Sequence, residues 1–489
     1  MEREPARYRF GPLEAGGAIG GLTWGQVACI AGGLLGLVLS LNVAPGATGA
    51  ILGLVLAGGG AAASLASLGG RPPVAWAAIA SDYATRRLTG RLRHRSAAPQ
   101  RGWPAAGVDL PESLRGVRIL AVPLTGGEVG VVRDGPTWTA VVAVEPGAFA
   151  LLDLSDKERR VARWGSVLAG FATPASPVSR IQWIERTAAE PPDALGRHLR
   201  EGLGLDPSDP AVHSYLDLIS TAGPPARRHE TFLCLQVDGR RAGRAVRRAG
   251  GGDAGGCAVL LRELSGLAER LRGAEVPVRG LLSPGQVARA IRLGFDPDAR
   301  AALDEQAADG PEPAGVAPAT AGPMAAEEGW RAYRTDGAIH ATYWISEWPR
   351  VDVGADFLMP LVLTTTAWRT IAVTIEALDP ARAIRQAENA RTSATSDEEL
   401  RGRLGFSATA RRRRRQEAVL DEEDETAAGH AGCRFSGYVT ISARSAEDLE
   451  GAIADVEHQA QGSRLELRPM WGEQAVSFTY TLPLCRGLR

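Results

Sequence analysis

Residues 15–70 read AGGAIGGLTWGQVACIAGGLLGLVLSLNVAPGATGAILGLVLAGGGAAASLASLGG, 56 residues without one Asp, Glu, Lys, Arg or His. A water-soluble domain has little use for so long an uncharged run. A bilayer does: about 20 apolar residues, rising about 1.5 Å each, cross its hydrocarbon core. The run is long enough for two crossings, and Asn42-Val43-Ala44-Pro45-Gly46 puts turn chemistry at its middle. The pattern predicts two transmembrane helices, at 23–42 and 47–68, folded as a hairpin. Gly32 and Gly36, Gly49 and Gly53, and Ala57 and Ala61 have the small-xxx-small spacing that lets helix backbones approach.

The flanks orient the hairpin. Arg71, Arg86, Arg87, Arg91, Arg93, Arg95 and Arg101 follow the second helix against one acid, Asp82, whereas the turn between the helices is uncharged. The positive-inside rule then puts both termini in the cytoplasm; with one lysine among so many arginines, Ala and Gly, the coding bias is that of a GC-rich bacterial genome, and the expected location is the bacterial inner membrane. A signal peptide has one short apolar region and a cleavage site, so that reading is excluded. Residues 71–95 form an elbow: Pro72-Pro73 stop the second span, and an amphipathic stretch with Trp76 and Tyr83 ends in Arg86-Arg87. Such a stretch suits the headgroup plane of the bilayer. Trp24, Trp76, Arg86 and Arg87 are therefore the candidate membrane-interface residues.

Composition removes several chemistries. The net charge is −1, so no bulk affinity for nucleic acid is implied. Lys157 is the only lysine, and it stands in Asp156-Lys157-Glu158. A Walker A loop needs Gly before that lysine and Ser or Thr after it, so the chain has no P-loop. The five cysteines are scattered without a CxxC, and His229-Glu230 lacks the second histidine of HExxH. No metal or other cofactor is expected, and no catalytic constellation stands out. Gly250–Gly256 precedes a helix, where backbone amides can cradle phosphate. No strand feeds into it directly, and it reads as a loop.

Beyond the membrane segment (1–95) the chain divides into a first α/β domain at 116–295, a linker at 296–328 and a second domain at 329–489 with a charged insertion at 380–430. In the second domain the order strand, helix, strand, insertion, strand, helix, strand predicts a ferredoxin-like split β-α-β sheet, its last strand at Ala475–Leu482. The fold class expected is thus α+β: a two-helix transmembrane hairpin followed by ferredoxin-like cytosolic domains, with a helical hairpin inserted. The insertion carries Arg411, Arg412, Arg413, Arg414 and Arg415, then the acidic block Asp421–Glu425. Those arginines are candidates for an anion, DNA or partner contact. The acidic block would repel a phosphate backbone, which favours a solvated or internally paired role.

Tyr8-Arg9-Phe10-Gly11, Gly20–Gln26 entering the first span and Gly70–Trp76 leaving the second resemble the PrgI-like membrane subunit of conjugative type IV secretion systems. Val276–Gln286 with Phe295-Asp296-Pro297, Gly437-Tyr438-Val439-Thr440 and Met470–Phe478 resemble the N-terminal region of the conjugation ATPase of those systems. The plan is similar to membrane proteins of actinobacterial conjugative elements that join these two parts without the motor. The resemblance implies a non-enzymatic scaffold that oligomerises within a transfer complex, beside other membrane subunits, and docks a separate secretion ATPase. Two other classes compete with it: a nucleotide-binding or hydrolytic protein with a non-Walker site at the Gly-rich loop, and a membrane-anchored regulator that binds nucleic acid.

Overall fold

The structure, a computed structural model, describes Tyr8, Phe10 and residues 23–66, 68–96, 110–145, 147, 149–174, 176–189, 209–214, 217, 227–308, 315–364, 367–385, 388, 392, 395 and 431–488. Its first two helices, α1 (Trp24–Val43) and α2 (Ala47–Leu65), are long and apolar enough to cross a membrane. Only 6% and 17% of their apolar windows are buried, so they are not core helices of the soluble part. Thr23 starts α1 with a capping box, its hydroxyl accepting from Gln26 N–H. Glycines let the pair close: a Cβ on Gly33 would stand 2.9 Å from the Leu56 carbonyl oxygen. Polar side chains fasten both ends. Ser40 Oγ donates to Gly49 O at 3.0 Å, Gln26 Nε2 to Ser64 O at 2.6 Å, and Ser64 Oγ to Gln26 O at 2.9 Å. In a medium without water such polar groups have to be satisfied within the protein.

A third helix, α3 (Pro73–Leu88), leads to the strands β1 (Arg93–Arg95), β2 (Arg118–Leu124), β3 (Gly127–Asp134) and β4 (Thr137–Val144). Then come α4 (Leu154–Ala169), β5 (Val178–Ala189), β6 (Arg227–Asp238), α5 (Gly243–Arg248), α6 (Gly252–Gly273), β7 (Val278–Leu281), α7 (Pro284–Phe295) and α8 (Arg300–Ala308). The rest comprises β8 (Ala325–Glu328), β9 (Tyr333–Arg334), β10 (Ile339–Glu347), β11 (Trp368–Ala377), β12 (Cys433–Ala443), α9 (Ala446–Gly462), β13 (Glu466–Pro469) and α10 (Gln474–Phe478). Among the described residues, all thirteen strands belong to one antiparallel sheet, in the order β1-β8-β9-β10-β12-β11-β5-β6-β4-β3-β2, with β13 on β10 and β7 on β4.

The expectation of ferredoxin-like, split β-α-β domains is therefore corrected. The strands do not close into separate sheets. β5 and β11 pair from Arg369↔Thr187 to Ile375↔Ile181 and fuse both halves of the soluble part. An unpaired edge exposes a row of N–H and C=O groups, and the fusion satisfies two such rows at once. The strand expected at Ala475–Leu482 is also absent. Gln474 Oε1 accepts from Thr342 N–H at 2.8 Å, which occupies the free side of β10, and the chain instead folds into α10 and a 3-10 turn, Thr479–Thr481.

Alternation along the strands buries both faces. Ala140, Val142 and Val144 of β4 meet Leu260, Leu264 and Leu267 of α6, while Val141 points the other way, toward Val287, Ile291 and Phe295 of α7. In the second half Ile345, Ile371, Val439 and Ile441 pack on Leu449 and Val456 of α9. The Gly-rich stretch has a packing role. Gly250, Gly251 and Gly252 take positive φ (109°, 72° and 54°) to turn the chain into α6. Gly256 lies against the Trp138 ring, where a Cβ would overlap it. Asp253 accepts from Arg133 Nε at 2.6 Å and from Trp138 Nε1 at 3.1 Å.

Candidate membrane clamp

The apolar hairpin is joined to the sheet by a tight turn. Leu68 and Arg71 exchange backbone hydrogen bonds of 2.8 and 3.0 Å across Gly69 and Gly70, whose φ angles are +53° and +74°. Two consecutive left-handed residues make a turn that glycine alone adopts without strain. Pro72 and Pro73 then start α3, Pro73 at its first position.

The turn presents Arg71 to the soluble part. Arg71 Nη1 donates to Glu473 Oε2 at 3.2 Å, Nη2 reaches Met470 Sδ at 3.7 Å, and the guanidinium lies 5.4 Å from the Trp76 ring centre. Trp76 Nε1 donates to Leu68 O at 2.8 Å. Its ring sits beside Trp471 (5.7 Å) and Trp330 (6.0 Å), and Tyr83 meets Trp330 edge-on at 5.1 Å. One turn further along α3, Arg86 pairs with Glu328 of β8 and donates to Gly472 O at 2.6 Å. Glu328 also accepts from Ala475 N–H at 3.1 Å. Burial raises the proton affinity of Glu328 above that of an ordinary carboxyl, although Arg86 opposes the shift. Gly472, at φ +75°, admits Ile79 and Trp330 against its backbone. Thus α3 is gripped by the β8–β9 turn and by the 470–473 loop after β13.

A second attachment precedes α1. Tyr8 and Val353 exchange backbone hydrogen bonds of 2.9 and 3.0 Å. Phe10 lies among Trp348 (5.4 Å), Phe357 (5.3 Å) and Phe435 (6.1 Å). Chain on both sides of the hairpin is therefore fixed to the second half of the sheet.

Comparison with protein families adds one similarity. Residues 225–345 match a family described as “Putative type VII ESX secretion system translocon, EccE”. The match spans about a quarter of the chain, from β6 into β10, and includes the clamp residues Glu328 and Trp330. The similarity indicates a secretion-related membrane system. No curated protein matches the chain.

The sequence-predicted interface residues divide in two. Trp24 is 72% exposed at the start of α1, and Arg87 is exposed on α3. Trp76 and Arg86 turn inward and hold the soluble part. Arg411 to Arg415 lie outside the described residues. Sequence reasoning missed Trp330, Trp471, Glu328 and Glu473. In the sequence Trp471-Gly472-Glu473 stands out only as part of the Met470–Phe478 motif, and nothing local pairs it with an arginine some 400 residues earlier.

Proposed function

We propose that the protein is a membrane-anchored, non-enzymatic structural subunit of a bacterial secretion translocon. It sits in the inner membrane with both termini cytoplasmic, beside other membrane subunits and in several copies, and docks a separate secretion ATPase. The observation that carries this reading is the coincidence of two features in one segment. The stretch similar to the translocon family is also the stretch that supplies Glu328 and Trp330 to the clamp. The description of that family favours a type VII system. The conjugative type IV plan is the second reading, supported by the Gly20–Gln26 and Met470–Phe478 motifs.

The test is affinity purification of the tagged chain from native membranes in mild detergent. Other membrane subunits and a Walker-containing ATPase should co-purify, and the identity of that ATPase separates type VII from type IV. Alkaline carbonate that strips the native chain from vesicles would sink the anchor. A chain purified alone that hydrolyses nucleotide would replace the scaffold by an enzyme.

A further inference from the structure

At the root of the apolar hairpin stand several side chains that the packing of the soluble part does not use up. Leu65 and Leu68, where α2 gives way to the Gly69-Gly70 turn, are 66% and 60% exposed. Trp471 lies against that turn. Its ring is 3.1 Å from the place a Cβ on Gly69 would take, and 5.7 Å from the Trp76 ring, whose Nε1 holds Leu68 O. Over Trp471 lies Arg331, from the turn between β8 and β9, its guanidinium 5.4 Å from the ring centre.

Arg331 is exposed and makes no hydrogen bond or ion pair with a described residue. Other arginines that lie over tryptophans are held differently: Arg133, over Trp138, has Asp253, and Arg444, over Trp368, has Asp298. The acids near Arg331 and Trp471 in the chain face other bases. Glu327 is 2.8 Å from Arg93, Glu328 pairs with Arg86, and Glu473 is 3.2 Å from Arg71. The tryptophan ring steadies the guanidinium but gives it no oxygen to bond, and the planar N–H fork of arginine matches the paired oxygens of a phosphate. The contacts thus run from exposed leucines to tryptophan to an arginine without a carboxylate. A bilayer has the same order of layers: hydrocarbon, interface, phosphate.

We propose that Arg331, seated on Trp471, binds the phosphate of an anionic phospholipid headgroup at the root of the hairpin. The occupant is a lipid because the exposed apolar surface of α2 continues through Leu65 and Leu68 up to the site. A soluble anion would leave those leucines in water. The inference rests on the reading of α1 and α2 as a membrane anchor, and it adds the contact that the soluble part makes with the lipid surface: the β8–β9 turn and the 470–473 loop, both remote in sequence from the hairpin.

The experiment uses the full chain in nanodiscs of phosphatidylcholine, with and without one-third phosphatidylglycerol, at equal ionic strength. With the anionic lipid, amide exchange in 329–332 and 470–473 should slow about fivefold, the weight of one basic residue at such a surface. Arg331→Gln should lose the difference. Arg272→Gln, which removes an exposed arginine at the far end of α6, should keep it. Inorganic phosphate added to discs of phosphatidylcholine alone should not reproduce the slowing. Equal exchange in the two kinds of disc, an Arg331→Gln protein that still distinguishes them, an Arg272→Gln protein that no longer does, or the same slowing by free phosphate would each overturn the proposal and leave the anchor standing. A chain that does not enter the discs would overturn both.

Discussion

His340 shows how much one buried side chain can decide. It is inaccessible to solvent, its Nε2 donates to Phe295 O at 3.0 Å, and its Nδ1 accepts from Ser442 Oγ at 2.8 Å. Phe295 O has no proton to give, which fixes the tautomer. Burial lowers the His340 pKa from 6.5 to about 4, so the folded state keeps it neutral where the unfolded chain takes up a proton. Stability therefore falls as pH drops from about 6.5 to about 4, by about 3 kcal/mol in total. His340→Gln should flatten that slope in urea titrations across the same range, and an unchanged slope would reject the assignment. None of this was legible locally. The sequence showed seven scattered histidines and no metal-ligand spacing, and of the partners of His340 only Thr335 is near in sequence, Phe295 and Ser442 arriving from 45 and 102 residues away. Buried pairs such as Glu185 with Arg369, 184 residues apart, are hidden for the same reason.

Elements were more readable wherever one physical constraint dominated. The absence of charge placed α1 and α2 within a few residues of their observed ends, because lipid tolerates so few alternatives. Ser283-Pro284 marked the start of α7, and its capping box with Gln286 is present. The α3 elbow has the sequence of an interfacial stretch, since nothing in it distinguishes a tryptophan facing lipid from one facing Trp471. Two predictions follow from its geometry. Replacing Gly70 by Val forces a β-branched residue into a left-handed position beside Arg468, at a cost of about 1–2 kcal/mol for the backbone alone. Trypsin should then cut faster at Arg86 and Arg87 than in the wild type. Trp76→Ala and Trp471→Ala should be non-additive, with a coupling of about 1 kcal/mol in a thermal-denaturation cycle. Additive losses would mean that the rings do not hold the clamp.

On the scale of the whole molecule, strand positions were visible but their order was not. The pairing of β5 with β11 brings together segments nearly 200 residues apart, and buried strands carry similar Val/Ile-rich patterns whichever neighbour they meet. One continuous sheet predicts shared stability. Ile371, buried and opposite Glu185, can be changed to Pro, which removes a ladder hydrogen bond at the join. Strands β4 and β12, on opposite sides of the join, should then lose amide protection together. Loss confined to one half would contradict the fusion. The attachments before α1 and after α2 have a mechanical consequence. A hairpin hung from a single flexible stalk swivels freely and passes on no torque. Here Phe10 is seated beside Trp348 and Trp76 beside Trp471, so the two apolar rods are suspended from two separate points. Twisting or tilting them turns the sheet as well, and neighbours that push on the two rods steer the rest of the body like a rudder on its post.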